Sequence, residues 1–418
     1  MSAKANPFAD RNFRWLIGGG VISMLGDQFT LVALPWLVLK LTGDTLMLGL
    51  VLAVMSVPRA GFILVGGAVT DRYAPKRVLM LTKYANLALL GLLAGLVLVQ
   101  AVTLPLLFAL AFLIGLASAF SIPSGSSVLP LTLPSELLQA ANGIMMALRQ
   151  VTLLLGPLLA GLLIAFAGDP AQGSDTRGIG LAFLVDALSF ALSAWTLTKV
   201  VTVRAAQPTE DAMLAAVWAG LRHFWNDHSL RTLCLYFLAT ACFIGGPAQV
   251  AIPVLAATRL GDGAAGYGGL MAAHGAGTLL GMVLSGMRPG WRLGTLGLTL
   301  LAVDATAGLL LMPLGRIEML WQGVALLLPL GLLAGFMQVS VFTWMQRRVP
   351  QAMLGRAMSL FMFIFMGVAP LSAAVTGWAM RGLTLEQLFA GSGAILLLIV
   401  LAALTRPQIR TIGATAPS

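Results

Sequence analysis

Long apolar runs constrain this chain more than any other feature of its sequence. A helix needs about 20 apolar residues to cross the hydrocarbon core of a bilayer, and twelve such runs follow one another here. The 418 residues are 59% hydrophobic and only 10% charged, whereas soluble domains are about 25% charged. We therefore predict an all-α membrane protein with twelve transmembrane helices. The predicted spans are 15–39, 46–70, 78–99, 103–123, 142–167, 179–200, 231–257, 264–287, 293–313, 319–344, 353–380 and 386–404.

Lysine and arginine are distributed unevenly between the two sides that these spans define. Of the 25 lysines and arginines, 18, including Lys83, belong to the terminal segments and the even-numbered connections, and 5 belong to the opposite side. Cytoplasmic loops carry the excess of basic residues, so we predict that both termini are cytoplasmic. The bases occur in ones and twos without interleaved aromatic residues, which argues against a nucleic-acid partner despite the net charge of +10.

Similar segments recur in the two halves of the chain. "VALPWLVLKLTGD" begins at Val32 and "VAIPVLAATRLGD" at Val250; "LPSELLQAANG" begins at 133 and "VPQAMLGRAMS" at 349. The charged segment "GGAVTDRYAPKR" from Gly66 has a counterpart in "GMVLSGMRPGWR" from Gly281, which lacks the acid. Paired halves of this kind predict a transporter whose substrate site lies near the bilayer midplane between two pseudo-symmetric six-helix bundles.

The connection after the sixth span divides the chain into these halves. It is longer and more polar than the others, and apolar residues within 214–225 recur with helical spacing, which predicts an amphipathic helix at the cytoplasmic surface. We therefore predict an N-terminal six-helix bundle at 1–200, a cytoplasmic linker at 201–230, and a C-terminal six-helix bundle with a short cytoplasmic tail at 231–418.

Two motifs carry a resemblance to the major facilitator superfamily. The loop after span two resembles that superfamily's signature, G-x3-D-R-x-G-x-K/R-K/R, with Ala74 in place of its second glycine. Span five resembles its antiporter motif, with small residues replacing two of six positions. The matching residues are Gly67, Asp71, Arg72, Lys76 and Arg77 in the loop, and Gly143, Gly156, Pro157 and Gly161 in span five, where Thr152 and Ala160 stand in the two replaced positions.

Further segments resemble the branch of drug and siderophore exporters. They are "GDQFTLVALPWLVLKLTGD", "RQVTLLLGPLLAG" and "QRRVPQAMLGRAMSL", and the last of these contains Gly355 and Arg356. The resemblance implies the fold of the superfamily, with its two six-helix bundles, and a secondary active transporter in a bacterial cytoplasmic membrane. It also implies a functional monomer that uses the proton motive force and no cofactor or metal.

The charged loop after span two has two interpretations. As a cytoplasmic gate, it would pair its charges with acids or helix ends in one transport state and release them in the other. As a topology signal, its bases would only anchor the cytoplasmic side. The resemblance favours the gate. Arg149, in the cytoplasmic third of span five, either joins this network or extends to the membrane surface.

Charges inside the spans are functional candidates because a charge at the bilayer centre costs at least about 2.5–3.5 kcal/mol. Counting residues along spans one and two places Asp27 and Arg59 near mid-depth on neighbouring helices. Protonation of Asp27 would release Arg59, and an anionic substrate group could compete for that arginine. The alternative is a permanent structural ion pair.

Three other polar residues within the spans are open to both functional and structural interpretations. Asp304 in span nine is either a coupling residue or a locally satisfied polar group. His274 in span eight could carry protons, although a lone histidine in a helix is more often a packed hydrogen-bonding residue. Asp186 has Ser189 one turn away as a hydrogen-bond partner, which favours a structural role.

These observations predict proton-coupled efflux of amphipathic small molecules, such as drugs or siderophore-like compounds, with the lipid bilayer, the substrate and protons as the only partners. A facilitator, symporter or flippase for a lysophospholipid or another metabolite is the alternative, because Asp27 and Arg59 would also suit a zwitterionic head group. An enzyme is not expected, because the three histidines are scattered and no catalytic cluster is recognisable.

Overall fold

The protein is described here from a computed structural model. The described residues are 6–168, 175–202, 228–261, 263–288, 291–348 and 368–413. In this part of the chain the regular structure is helical, and eleven helices are long and apolar enough to cross a membrane. A twelfth, shorter apolar helix is described from Val368 onward, inside the span predicted at 353–380.

The helices follow the predicted spans in order. Helix α7 continues through a π-helical turn at Pro247–Ala251 into Ile252–Thr258, and α9 ends in a 3-10 turn at Met312–Arg316. The bounds are α1 Arg11–Thr42, α2 Thr45–Arg72, α3 Pro75–Leu98, α4 Leu104–Thr132, α5 Ser135–Ala167, α6 Arg177–Thr198, α7 His228–Gly246, α8 Gly263–Met287, α9 Leu296–Leu311, α10 Leu320–Arg348, α11 Val368–Ala379, α12 Leu385–Leu404 and the short α13 Pro407–Arg410.

The boundary between α4 and α5 was predicted wrongly. The sequence predicts a connection at 124–141, but only Leu133 and Pro134 separate the two helices. The α4 helix continues through Pro123, although proline lacks the amide hydrogen that an inner helical turn uses. The amide hydrogen that Pro123 lacks would have bonded the carbonyl oxygen of Ala119, whereas Ser124 Oγ donates to the next carbonyl oxygen, that of Phe120, at 2.7 Å.

Two compact units are distinguished by their internal contacts. The first comprises 1–43 and 54–210, and the second comprises 44–53 and 211–418. In the first unit, α1 packs against α5 and α6, and α3 packs against α4 and α6. In the second unit, α8 packs along α10, and α9 packs along α12. The domain boundaries predicted from sequence stay predictions, and the amphipathic helix predicted within 214–225 lies outside the described residues.

The first residues of α2 are held within the second unit by polar contacts to the region around the end of α11. Arg381 Nε donates to Asp44 Oδ1 at 3.3 Å, and Arg381 Nη2 donates to Asp44 Oδ2. Thr45 Oγ1 donates to the carbonyl oxygen of Gly377 at 3.0 Å. These contacts explain why residues 44–53 cluster with the second unit although α2 continues into the first.

Residues that are equivalent in the sequence repeat also share local structure. Gly43 and Gly261 follow the ends of α1 and α7 with φ of 60° and 68°, a left-handed conformation that favours glycine. Thr70 on α2 shares a hydrogen bond of 2.8 Å with Ser124 on α4. Ser285 on α8 likewise shares one of 3.1 Å with Ser340 on α10. The repeated segments therefore share a left-handed glycine shortly after the helix and the same interhelical hydroxyl contact.

Glycine allows α8 and α10 to approach at backbone distance. A Cβ atom built on Gly281 would lie 2.8 Å from the amide nitrogen of Phe336 on α10, so the Gly281→Ala substitution forces the helices apart. We expect it to destabilise the protein by about 1–3 kcal/mol, measured as a lower melting temperature in detergent. Gly286→Ala on the same helix is the matched control, since its Cβ meets no atom within 4 Å; equal effects of both substitutions would contradict the packing argument.

The ion pair between Asp44 and Arg381 gives a second prediction. The hydrogen bond from Arg381 lowers the pKa of Asp44, so the stabilisation by this pair is complete above the ordinary pKa of an aspartate and is lost as the pH falls through the lowered value. Arg381→Gln should therefore lower the melting temperature equally at about pH 5 and about pH 8. The difference should shrink in high salt, because exposed charges are screened. A decrease found at only one of the two pH values would contradict the assignment.

Candidate functional site

Four charged side chains from different helices of the first unit form the candidate site. Asp27 is the 17th of the 32 residues of α1, and Arg59 is the 15th of the 28 residues of α2, so both lie near the middle of their helices. The Asp27 carboxylate interacts electrostatically with Lys83 on α3 and, more weakly, with Arg59. Asp186 on α6 interacts with both Asp27 and Lys83.

Asp186 is the best-satisfied member of this group. Its side chain is buried, with 1% of its surface exposed. Thr30 Oγ1 on α1 donates to Asp186 Oδ2 at 2.5 Å, and Ser189 Oγ donates to Oδ1 at 3.2 Å. Gly26 makes room for this contact, since a Cβ atom on it would lie 2.5 Å from Asp186 Oδ1. The structural partner predicted for Asp186 is therefore present, and the carboxylate also joins α6 to α1.

Lys83 is the residue that the sequence reasoning missed. It was counted among the basic residues outside the membrane, but it lies eight residues into α3 and is buried, with 7% of its surface exposed. Its Nζ donates to Ser23 Oγ on α1 at 3.2 Å and lies 5.4 Å from the centre of the Phe190 ring on α6. An aromatic face at this distance attracts a cation. Without Lys83, the predicted cytoplasmic side still has the excess of lysines and arginines.

Asp27 differs from its neighbours because the residue has exposed surface, although the surrounding protein still partly desolvates its carboxylate. An ionised carboxylate facing hydrocarbon at mid-depth is strongly disfavoured, so we interpret this surface as facing water. Arg59 is half-buried, and its Nε finds no hydrogen-bond partner among the described residues. The site thus combines an accessible acid with a buried lysine, a buried acid and an incompletely bonded arginine. Such a group can take up and release a proton while the buried charges remain in place.

The charged loop predicted as a gate is only partly described. Arg72 is the last residue of α2, and its guanidinium lies 6.0 Å from the centre of the Tyr73 ring. Lys76 Nζ donates to the carbonyl oxygen of Val200 at 2.5 Å, just beyond the end of α6, where a cation is favoured by the helix dipole. Arg77 is exposed. These contacts lie within the first unit, and the gate role stays a prediction.

Four predicted site residues are not described in full: two in the gate motif and two in the second-half loop. Gly67 and Asp71 belong to α2, but their side-chain surroundings lie outside what is described. Gly355 and Arg356 lie outside the described residues altogether. Their predicted roles stay predictions.

The antiporter-like motif of span five lies in α5 and packs against α1. A Cβ atom on Gly156 would lie 2.5 Å from the Cβ of Gln28, the residue after Asp27. Pro157 lies inside α5, and Gly161 is buried on the same helix. Arg149 is exposed. The motif therefore brings the backbone of α5 close to α1 beside the candidate acid.

The candidates of the second unit lie apart from one another in the sequence and on different helices. Tyr236 Oη on α7 donates to Asp304 Oδ2 on α9 at 2.6 Å, which gives this acid a local partner. His274 lies on α8, where its carbonyl oxygen accepts a hydrogen bond from Thr278 at 2.9 Å. Its backbone also packs against Gly331 of α10, where no side chain fits. A coupling role for either residue stays a prediction.

Comparison with known proteins places this arrangement in a family. Residues 16–374 match the profile of the Major Facilitator Superfamily. The chain belongs to that superfamily. The predicted fold class, with its membrane-spanning helices, is thereby confirmed, and the protein is a multi-pass membrane transporter and not an enzyme.

Relatives of the chain include exporters. It is 25% identical over 406 residues to the multidrug efflux pump Tap of Mycolicibacterium fortuitum, which covers 92% of this chain and 93% of the relative. It is 25% identical over 359 residues to the enterobactin exporter EntS of Escherichia coli O1:K1 / APEC, covering 84% and 80%. These similarities support the predicted resemblance to drug and siderophore exporters.

Solved structures agree in fold. The nucleoside transporter NupG superposes with a TM-score of 0.75 at 10% sequence identity, covering 95% of this chain and 99% of the other. A D-xylose-proton symporter superposes with a TM-score of 0.72 at 12% identity, covering 98% and 100%. At these identities the likeness concerns the fold alone.

The environment of Asp186 predicts how the site responds to substitution. Asp186→Leu leaves the Thr30 hydroxyl without this acceptor and removes one of the two carboxylates that compensate Lys83, whereas Ser189 keeps its hydrogen bond to the backbone carbonyl oxygen of residue 186. This substitution should destabilise the protein by about 3–5 kcal/mol. Asp186→Asn keeps the shape and one acceptor oxygen, so its loss should be smaller, about 1–3 kcal/mol. Melting temperatures and the yield of monodisperse protein in detergent measure both. Equal effects of the two substitutions would show that the hydrogen bonds to Asp186 do not stabilise the fold.

Proposed function

We propose that the protein is a proton-coupled exporter of amphipathic small molecules in a bacterial cytoplasmic membrane, with both termini in the cytoplasm, working as a monomer without a cofactor. The observation that carries this proposal is the exposed Asp27 carboxylate midway along α1, next to two cations on α2 and α3. An acid inside a spanning helix is a functional candidate by default. Its accessibility allows protons to reach it.

Asp27 would link proton and substrate through charge. When its carboxylate is ionised, it balances part of the positive charge of Arg59 and Lys83. When it takes up a proton, that positive charge loses a partner, and the balance of forces between α1, α2 and α3 changes. A substrate that approaches Asp27 competes with the proton for the same carboxylate or for the released cation. Alternating access then requires that the two occupied states favour different conformations, because a ligand shifts an equilibrium only by its differential affinity.

The relatives support export as the direction of transport. The names of two relatives that cover at least four fifths of this chain are an efflux pump for multiple drugs and an exporter of enterobactin. The antiporter-like residues Gly156 and Pro157 lie on α5, and Gly156 packs against Gln28, the residue after Asp27. These observations favour exchange of a proton for an outgoing substrate over the facilitator or symporter alternative.

Transport assays with imposed pH gradients test the proposal. Purified protein in liposomes should accumulate a permanently cationic amphipathic dye when the lumen is acidic, and Asp27→Asn should abolish that accumulation because the carboxylate can no longer exchange a proton. The dye cannot be trapped by its own protonation. Asp10→Asn is the control, since Asp10 only caps α1 through its side chain and asparagine caps equally well.

The direction of the gradient separates the alternatives. Accumulation with an acidic exterior would indicate a symporter, and equilibration that ignores the gradient would indicate a facilitator. Either result, or wild-type accumulation by Asp27→Asn, would contradict proton-coupled export. Competition of dye uptake by lysophospholipid, with no response to the gradient, would favour the lipid transporter.

A further inference from the structure

Lys83 has surroundings that neither a topology signal nor a simple structural lysine requires. Its ammonium is buried between three helices, and its hydrogen-bond partner among the described residues is the neutral Ser23 hydroxyl of α1. Asp27 of α1 and Asp186 of α6 both interact with its charge electrostatically, although neither carboxylate forms a direct ion pair with it within 4.0 Å. A buried ammonium needs compensation by opposite charge. In this site that compensation comes from two carboxylates rather than from one ion pair.

The two carboxylates differ in how firmly they are held. Asp186 is fixed by Thr30 and Ser189 and is inaccessible to solvent. Asp27 is exposed, and in addition to Lys83 it interacts with Arg59 of α2. A proton from the solvent therefore reaches Asp27 but not Asp186.

Among the described residues, the neighbouring helices α4 and α5 add no charge that acts on Lys83 or Asp27. The α5 helix, which packs against α1, carries Glu136 and Arg149, but neither of them contributes to the electrostatics of these two groups. The α4 helix, which packs against α3, contains no Asp, Glu, Lys, Arg or His between Leu104 and Thr132. On α6, the ring of Phe190 covers the ammonium. The charges that face Lys83 are thus Asp27 from α1 and Asp186 from α6, with Arg59 from α2 acting on Asp27.

From this arrangement we infer that Lys83 is a positioning residue for proton coupling: its ammonium is shared between Asp27 and Asp186, and it shifts toward Asp186 when Asp27 takes up a proton. The proton comes from the water that reaches Asp27 and forms an O–H bond on its carboxylate, while Lys83 keeps its own protons. This inference rests on the proposed function, because it assigns the coupling proton to Asp27.

A lysine suits this role because its charge sits on a flexible four-carbon chain. Its ammonium can move between two acceptors by rotamer changes, without moving the backbone of α3. With Asp27 ionised, the charge of Lys83 attracts α1 to α3. With Asp27 protonated, that attraction weakens and the attraction between α3 and α6 grows. One proton thus changes which neighbouring helix α3 holds more strongly.

The test measures the titration of Asp27 directly and does not depend on transport. Infrared difference spectra of purified protein report the protonated carboxyl band, and the part that disappears in Asp27→Asn belongs to Asp27. In Lys83→Met, which has a similar length and no charge, the midpoint of that titration should move up by about one pH unit, because a carboxylate without a cationic neighbour takes up a proton more readily. Lys83→Arg should restore the wild-type midpoint to within a few tenths of a unit.

Asp186→Asn provides a shift in the opposite direction. Removing the second carboxylate leaves Lys83 to Asp27 alone, so the midpoint should move down. If the ammonium is shared, the effects of Lys83→Met and Asp186→Asn are not additive, and the double variant shows the difference. Lys199→Met is the control for charge removal, since Lys199 lies past the end of α6 near the Trp195 ring; it should leave the midpoint unchanged.

The outcomes separate the two claims. An unchanged midpoint in folded Lys83→Met, or additive shifts in the double variant, would overturn the role of Lys83 whatever the transport assay shows. A wild-type protein that titrates as described but transports without regard to the pH gradient would overturn proton-coupled export and leave Lys83 as a counter-charge without a coupling role. A folded state is verified for each variant by its melting temperature and size-exclusion profile.

Discussion

The compensation of charge inside an apolar bundle is the constraint on which the first unit depends. An uncompensated ion in a low-dielectric interior is strongly unfavourable, so Lys83 and Asp186 can be buried only because α1, α3 and α6 bring a carboxylate, an ammonium and three hydroxyls together. Gly26 contributes to this arrangement, because only a residue without a side chain lets Asp186 approach α1. The helices that carry these groups are fixed relative to one another by electrostatics as well as by packing. Asp27 is then the charge left accessible.

Much of the architecture follows from the sequence because the bilayer leaves the backbone little choice. A chain in hydrocarbon must satisfy its amide groups internally, so each long apolar run becomes a helix. Simple counting along these helices places Asp27 and Arg59 at mid-depth. The end of α4 was not predictable in this way, because Pro123 and Pro130 indicate a break in the sequence pattern, whereas the helix continues through both of them to Thr132.

Counting residues along the spans did not reveal the role of Lys83, and the physical reason differs from that for α4. Counting gives the depth of a residue but not the direction in which its side chain points, and direction is set by the rotation of each helix about its own axis. That rotation depends on packing, here on the fit of α1 against α6 and on the Phe190 ring. The signal that could have revealed Lys83 is its distance from the start of α3, since a lysine eight residues inside an apolar helix is not at its end.

The two halves share their packing more than their chemistry. The Thr70–Ser124 and Ser285–Ser340 contacts repeat, as do the left-handed glycines at the ends of α1 and α7. In the second unit the described acid Asp304 is held by a tyrosine hydroxyl rather than by a lysine. A duplication that preserves helix contacts while changing the charged residues gives two units with similar packing and different electrostatics.

The close approach of α8 to α10 also bears on how this sequence can change over time. At Gly281 and Gly331 the neighbouring atoms are backbone, so no substitution on the partner helix can make room for a new side chain. A single substitution at such a position is costly, whereas a Cβ atom on Gly286 meets no atom within 4 Å. New side chains are therefore accommodated more easily on surfaces away from the contact between α8 and α10. The glycines at that contact keep the packing of the two helices constant.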